Sequence, residues 1–339
     1  MNATPEPAPV GSDAPATSPS RAGVELPPVE PPSAGFIVQL FVIPAVIVAV
    51  VIVVWLLFGK LAGGERDAMW YVQTLKSTEA NYRSAYELGS LIRNDPKIAA
   101  DGKLLGELTD LLASDLTKET DEKLLVYLTA ALGVFTTLDA TDAAGKPVDV
   151  LSVLRSALTS SKSDDVRKSA ALSLASHAAR LEGKLDDAAT IAALVETKKS
   201  ESADVRKIAV FALGFFGGEP AVLGLRDRLN DPDRDVRYNA AAALARRGDL
   251  AAKGFLEEML SPTDLETALA SVPESERRSQ IEAIQDTALE SIRKGVVAGK
   301  VELAQALRPK LDALTRSGLV SVRTQAQEIL KTLPADSAK

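Results

Sequence analysis

The chain has 339 residues, 39 Lys and Arg against 46 Asp and Glu for a formal net charge of −7, and 46% apolar residues. That balance argues against a nucleic-acid binder, which displays basic surface to displace phosphate counterions, so no nucleic acid is expected as a partner. With no cysteine there is neither a disulfide framework nor sulfur ligation of zinc, and aromatics at 4% among abundant Ala and Leu suit close-packed helices better than a β-sandwich.

Residues 1–35 hold nine of the eighteen prolines, with Ala, Ser and Thr between them. Such a segment buries too little apolar surface to offset its ordering entropy, so a disordered, partly polyproline II tail is expected. Next comes FIVQLFVIPAVIVAVVIVVWLLF, residues 36–58, with no charge between Glu30 and Lys60. As a helix its 23 residues would span roughly 34 Å, enough to cross a ~30 Å hydrocarbon core. Pro44 is tolerated in a membrane span, and Trp55 near one end suits the interface. A cleaved signal peptide fits poorly, because its charged region would be long and acidic. The expectation is a single-pass transmembrane helix over 36–58, which makes the membrane one partner, and a linker over 59–66. Arg21 alone stands against Glu6, Asp13, Glu25 and Glu30 before the span, while Lys60, Arg66 and Lys76 follow it. The positive-inside rule then places the C-terminal part in the cytoplasm and the tail outside.

The remainder carries a repeat. From Val236, the residues four, seven, eight and eleven places on are Ala240, Ala243, Leu244 and Arg247, and the first three share one helical face with Val236. The same template fits Val205 (Ala209, Ala212, Leu213, Phe216), Val166 (Ala170, Ser173, Leu174, His177), Leu124 (Leu128, Ala131, Leu132, Phe135) and Val322 (Ala326, Ile329, Leu330, Leu333). Weaker matches start at Asn81 and Ile281. The seven anchors are 43, 42, 39, 31, 45 and 41 residues apart, periods that signal a solenoid. Apolar-periodic stretches at 103–112, 148–158, 188–196, 220–229 and 301–314 precede template helices. The fold expected is all-α: an α-solenoid of about seven helix pairs over 67–335, with a short C-terminal tail over 336–339 and no strand after residue 60.

At Asp-Val-Arg 165–167, 204–206 and 235–237, with the Ala and Ala-Leu that follow, the chain resembles HEAT repeats, and the 31-residue spacing resembles the phycobilisome-lyase-type subset. The resemblance spans roughly 65–335 and weakens at the first and sixth repeats, where Asp-Val-Arg is missing. It implies an inter-repeat ladder in which Asp165, Asp204 and Asp235 pair with Arg167, Arg206 and Arg237 of neighbouring repeats. Asp231 before Pro232 reads as a helix N-cap, with Asp233 and Asp235 favoured by the helix dipole.

Catalytic chemistry finds little support. The single histidine, His177, falls at a core position of the template, where a packed side chain is the ordinary reading. One histidine and no cysteine provide no zinc set, and the di-iron chemistry of some HEAT proteins needs His-Glu pairs. No GxxxxGK[ST] or GxGxxG occurs, so no nucleotide, cofactor or metal is expected and no enzyme is inferred. The tail and span hold one base and four acids, so the rest keeps a net charge of −4, which disfavours a DNA-binding concave face. Lys198-Lys199, Arg246-Arg247 and Arg277-Arg278 read as solvated helix ends.

Solenoids expose extended surfaces that bind proteins, so the leading expectation is a membrane-anchored interaction scaffold for protein partners. The alternatives are an accessory or lyase-like protein acting on a membrane-associated substrate, and a structural part of an envelope complex. The helix over 205–217 carries a second apolar stripe, Ile208, Phe211 and Phe215, at roughly 240–300° on a wheel whose core face centres near roughly 30°. Tyr127, Ala130 and Val134 form a paler version. Either the stripe packs on the first helix of its own repeat, over 188–196, or it is exposed as a binding patch. Ile208, Phe211, Phe215, Tyr127 and Val134 are therefore the candidate partner-binding residues.

Overall fold

A computed structural model describes residue 35, residues 43–62 and residues 67–334 except 79, 119 and 183. It divides into two units, 1–65 and 66–339. The proline-rich segment up to residue 34 and residues 36–42 lie outside the described residues, as does the C-terminal tail.

In the first unit α1 runs Ile43–Ala62. It covers the expected span from Ile43 onward and takes in Gly59, Lys60, Leu61 and Ala62 from the expected linker. Among the described residues no helix is long and apolar enough to cross a membrane. This contradicts the single-pass anchor over 36–58 and the sidedness deduced from Lys60, Arg66 and Lys76, and leaves the membrane as a partner without support.

The second unit is built of helix pairs. The first pair is α2 (Ala68–Lys76) with α3 (Tyr82–Asn94). After the short α4 (Pro96–Ala99), α5 (Gly102–Asp115) pairs with α6 (Glu122–Leu132). The third pair is α7 (Val150–Ser160) with α8 (Asp164–Arg180), and the fourth is α9 (Ala188–Glu196) with α10 (Ala203–Leu213). In the fifth, α11 (Gly218–Arg228) joins α12 (Arg234–Ala245). In the sixth, α13 (Lys253–Met259) and α14 (Pro262–Ala268) precede α15 (Glu274–Val297). In the seventh, α16 (Glu302–Ala306) and α17 (Arg308–Leu314) precede α18 (Val320–Thr332). The stretch expected as one helix over 301–314 is thus broken, because Pro309 in the first turn of α17 has no N–H with which to continue α16.

Each second helix packs on the second helices before and after it, from α3 through α18. The anchors Leu124, Val166, Val205, Val236, Ile281 and Val322 are buried, together with the aliphatic residues of their template face except Leu330, which is partly buried. Asn81 differs. It is the exposed N-cap of α3, and its side chain accepts from the Ser84 N–H at 3.0 Å. One hairpin was not expected: β1 (Ala140–Thr141) pairs antiparallel with β2 (Pro147–Val148). Strands of two residues leave no alternation to read.

Four of the anchors, Val166, Val205, Val236 and Val322, are followed by an arginine that turns back onto the end of the first helix or the loop of its own repeat. Arg167 donates to the Leu158 carbonyl at 3.1 Å, Arg206 to Ser200 at 2.9 Å, Arg237 to Asp231 at 2.8 Å and Arg323 to Ser317 at 2.7 Å. Two of them also cross to the next repeat: Arg167 reaches Ser200 Oγ at 3.1 Å, and Arg206 grips both Asp231 oxygens at 2.9 and 3.0 Å. The ladder therefore differs from the one implied by resemblance. Asp165, Asp204 and Asp235 pair with their near neighbours Lys168, Lys207 and Arg234, and the bridging acceptors sit in inter-helix loops.

Asp231 is consequently no N-cap. Asp233 accepts from the N–H groups of Asp235 and Val236, and α12 starts at Arg234. Burial would raise the Asp231 pKa, but hydrogen bonds from Arg206 and the Asp233 N–H outweigh it and hold the carboxyl below its ordinary value. Removing one member of so buried a pair strands the other charge. Asp231→Ala should lower stability in urea unfolding by about 3 kcal/mol, while Asp235→Ala, on an exposed pair, costs under about 0.5 kcal/mol. Equal losses would refute this assignment of roles.

Candidate protein-interaction surface

The template position fixes which way each side chain of a second helix faces. Three places after the anchor, the side chain meets the preceding second helix: Ser169 Oγ donates to the Val126 carbonyl at 3.0 Å, Asn239 to Lys207 at 3.3 Å and Gln325 to Asp286 at 2.9 Å. Tyr127 holds the same position in α6 and stacks on Tyr82 of α3 at 5.9 Å between ring centres, with Tyr86 edge-on at 5.7 Å. Ile208, the equivalent in α10, is partly buried against the core. Six places after the anchor the side chain faces outward in α6, α8 and α10: Ala130 is exposed, Leu172 is 43% exposed and Phe211 39%.

These positions link across the helices. Tyr82 and Tyr86 flank Tyr127, and Val134, Leu172 and Ile92 line one cleft of about 530 Å³ across α3, α6 and α8. On α10 the ring of Phe211 meets Phe215 edge-to-face at 5.0 Å, and Phe215 is itself partly buried. The stripe is thus split: Ile208 and Phe215 pack, and Phe211 stands outward. Tyr127 and Val134 are partly buried at the same surface. Isolated exposed apolar side chains are ordinary, whereas contiguous ones mark contact surfaces. Tyr82, Tyr86 and Leu172 were not among the expected residues, although the i, i+4 spacing of the two tyrosines places them on one helix face.

Arginines border this ridge. Arg246, expected at a solvated helix end, instead lies with its guanidinium 5.7 Å from the Phe215 ring centre. Burial, aided by the charge of Arg247, brings its pKa down to about 10. Arg247 donates to the carbonyls of Gly214, Ala243 and Phe216. Among the described residues neither Arg93, which lines the cleft, nor Arg246 has a carboxylate partner. Lys198 pairs with Asp227, and Lys199 with Glu196.

His177 lies beneath the ridge, 2% exposed. Its Nε2–H donates to the Leu132 carbonyl at 3.0 Å and Nδ1 accepts from Arg180 at 3.3 Å, so the ring is neutral and both nitrogens are occupied. Among the described residues no group of three or more His, Asp and Glu side chains is gathered to hold a metal ion.

Residues 191–285 match the HEAT repeats family, a stretch from α9 into α15. None of the curated proteins matches the chain. Two crystallised engineered proteins are similar in structure at 21% identity: one has a TM-score of 0.38 and covers 78% of this chain and 96% of its own, the other 0.41 with 78% and 98%. A designed armadillo repeat protein is 21% identical with a TM-score of 0.37, covering 79% of this chain and 100% of its own. The family match names no lyase.

Burial, and secondarily the nearby Arg180 charge, pulls the His177 pKa from 6.5 to about 4. The unfolded chain therefore binds a proton that the folded one refuses between those values, and the contribution of His177 is complete above pH 6.5 and lost as pH falls toward 4. Urea unfolding across that window should show about 3 kcal/mol of acid destabilisation that is largely missing in His177→Gln. An identical pH slope in both proteins would contradict a neutral buried ring.

Proposed function

We propose that this chain is a protein-interaction scaffold that docks its partner on the outward ridge of α3, α6, α8 and α10. The observation that carries the reading is the set of exposed large apolar side chains, Tyr82 and Tyr86 on α3, Leu172 on α8 and Phe211 on α10, with the partly buried Tyr127 of α6 stacked between the tyrosines. The HEAT repeats match over 191–285 supports it, since stacked repeats present extended surfaces that suit protein partners. The reading gives the chain no reaction of its own. Its only histidine is occupied in packing. Phe211, Leu172 and the tyrosines would supply the apolar anchors of the interface, and Arg93 and Arg246 the charged groups at its border.

The test compares two exposed positions. Phe211 lies on the ridge, and Leu223 lies on α11, a first helix, at 53% exposure. Phe211→Ser and Leu223→Ser should both leave the urea midpoint nearly unchanged. Recovery of a stoichiometric partner on the tagged full chain should fall at least tenfold for Phe211→Ser alone. Equal recovery with both variants, or loss with Leu223→Ser alone, would sink the ridge as the docking surface.

A further inference from the structure

The joint at α15 departs from the five that share a regular start. In α6, α8, α10, α12 and α18 the helix begins two residues before its anchor, whereas α15 begins at Glu274, seven residues before Ile281. The five additional residues add about one and a half turns. At the position of the motif arginine stands Glu282, which turns to accept from Ser321 Oγ at 2.7 Å. Its task passes to Arg277 in the added turns, which donates to the carbonyls of Ala270 and Val272.

The displaced helix end forms one wall of a cleft of about 740 Å³ between the sixth and seventh repeats. Related joints differ in character. The cleft between the third and fourth repeats, about 560 Å³, has Arg167 reaching across it from Leu158 to Ser200. In the sixth-to-seventh joint Leu260, Ile281 and Leu314, all buried, line the space as an apolar floor. Arg278, Lys310 and Arg316 stand around it, and among the described residues none of them has a carboxylate partner. Of the two acids in the lining, Glu266 and Glu274, the first is engaged by Arg277 at 3.6 Å. Arg277 Nε and Gln285 Oε1, two turns apart on the same wall, are buried without hydrogen-bond partners. Buried polar groups are ordinarily satisfied, so this wall has hydrogen-bonding capacity that the fold does not use.

An apolar floor, a few convergent polar groups and this volume are the properties of a small-molecule site. We propose that the cleft binds a small amphipathic anion, with its apolar body on Leu260, Ile281 and Leu314 and its acidic head among Arg278, Lys310 and Arg316. This site lies on different elements from the α3–α10 ridge and does not depend on the ridge being a docking surface.

The experiment titrates the full chain with 1-anilinonaphthalene-8-sulfonate, an aromatic sulfonate, reads its fluorescence, and then displaces it with dodecanoate or dodecanol. The expected result is saturable one-to-one binding that weakens at least tenfold in the Arg278→Ala, Lys310→Ala double variant. Both substitutions lie at the rim and leave the floor intact. Ala313→Trp, which fills the cleft from an exposed helix position, should abolish binding, and Phe211→Ser should leave it unchanged. Dodecanoate should displace the probe at far lower concentration than dodecanol. Absence of saturable binding, or binding equally strong in the double variant, would overturn the proposal. Equal displacement by dodecanol would also overturn it, since the cations would then play no part.

Discussion

The close approach of consecutive second helices is the constraint on which the rest of the second unit depends. A Cβ placed on Gly133 of the second repeat would stand 2.8 Å from the Ser173 backbone of the third, and one on Gly214 would stand 3.0 Å from Ala243 of the fifth. Such contacts are shorter than side-chain carbons permit, so glycine on one helix and a small residue on the next set the spacing. Between α6 and α8 the approach is fixed further by a row of donors on one face: Ser169, Ser173 and His177 reach the carbonyls of Val126, Thr129 and Leu132. Helices this near exclude water from their seam, and each buried donor meets an acceptor there.

The remaining features follow from that seam. With one flank of each second helix committed to its predecessor and the template face committed to the core, the side chains six places after the anchor face outward in α6, α8 and α10, whereas Ala242 of α12 is buried. Phe211 and Leu172 are exposed for that reason. The inter-helix loops are tied by arginines, and Arg206 holds both carboxylate oxygens of Asp231. Where the pattern is interrupted, at α15, the loop ties are rearranged and a cleft opens. Regularity thus builds the ridge, and one irregular repeat builds the pocket.

Much of this was legible in the residues because the helical period places four template positions on one face. Six of the seven anchors are core residues, and the period alone located every second helix. What escaped depended on partners far away in sequence. Asp231 and Asp233 carry the same capping chemistry, and only Arg206, 25 residues earlier, decides which one caps. Arg246 carries a charge and so reads as a surface residue, yet it lies over Phe215 of the previous repeat. The five added residues of α15 are polar and charged, so they leave no apolar signal that a helix has already begun. At the interaction surface, Phe211 was visible as an unusual apolar residue, whereas Tyr82 and Tyr86 belong to a repeat whose template is weakest.

The seam between α6 and α8 fixes the stacking of the second unit, and urea unfolding of the Ser173→Leu variant of the whole chain tests this most directly. Ser173 is 3% exposed and faces Gly133 across the seam, so a leucine there has no room and removes the hydroxyl that meets the Thr129 carbonyl. Overpacking of about 1–3 kcal/mol at one joint of a nearest-neighbour stack should lower the midpoint and separate unfolding of the repeats on either side into two transitions. A midpoint and slope equal to those of the parent chain would contradict the account.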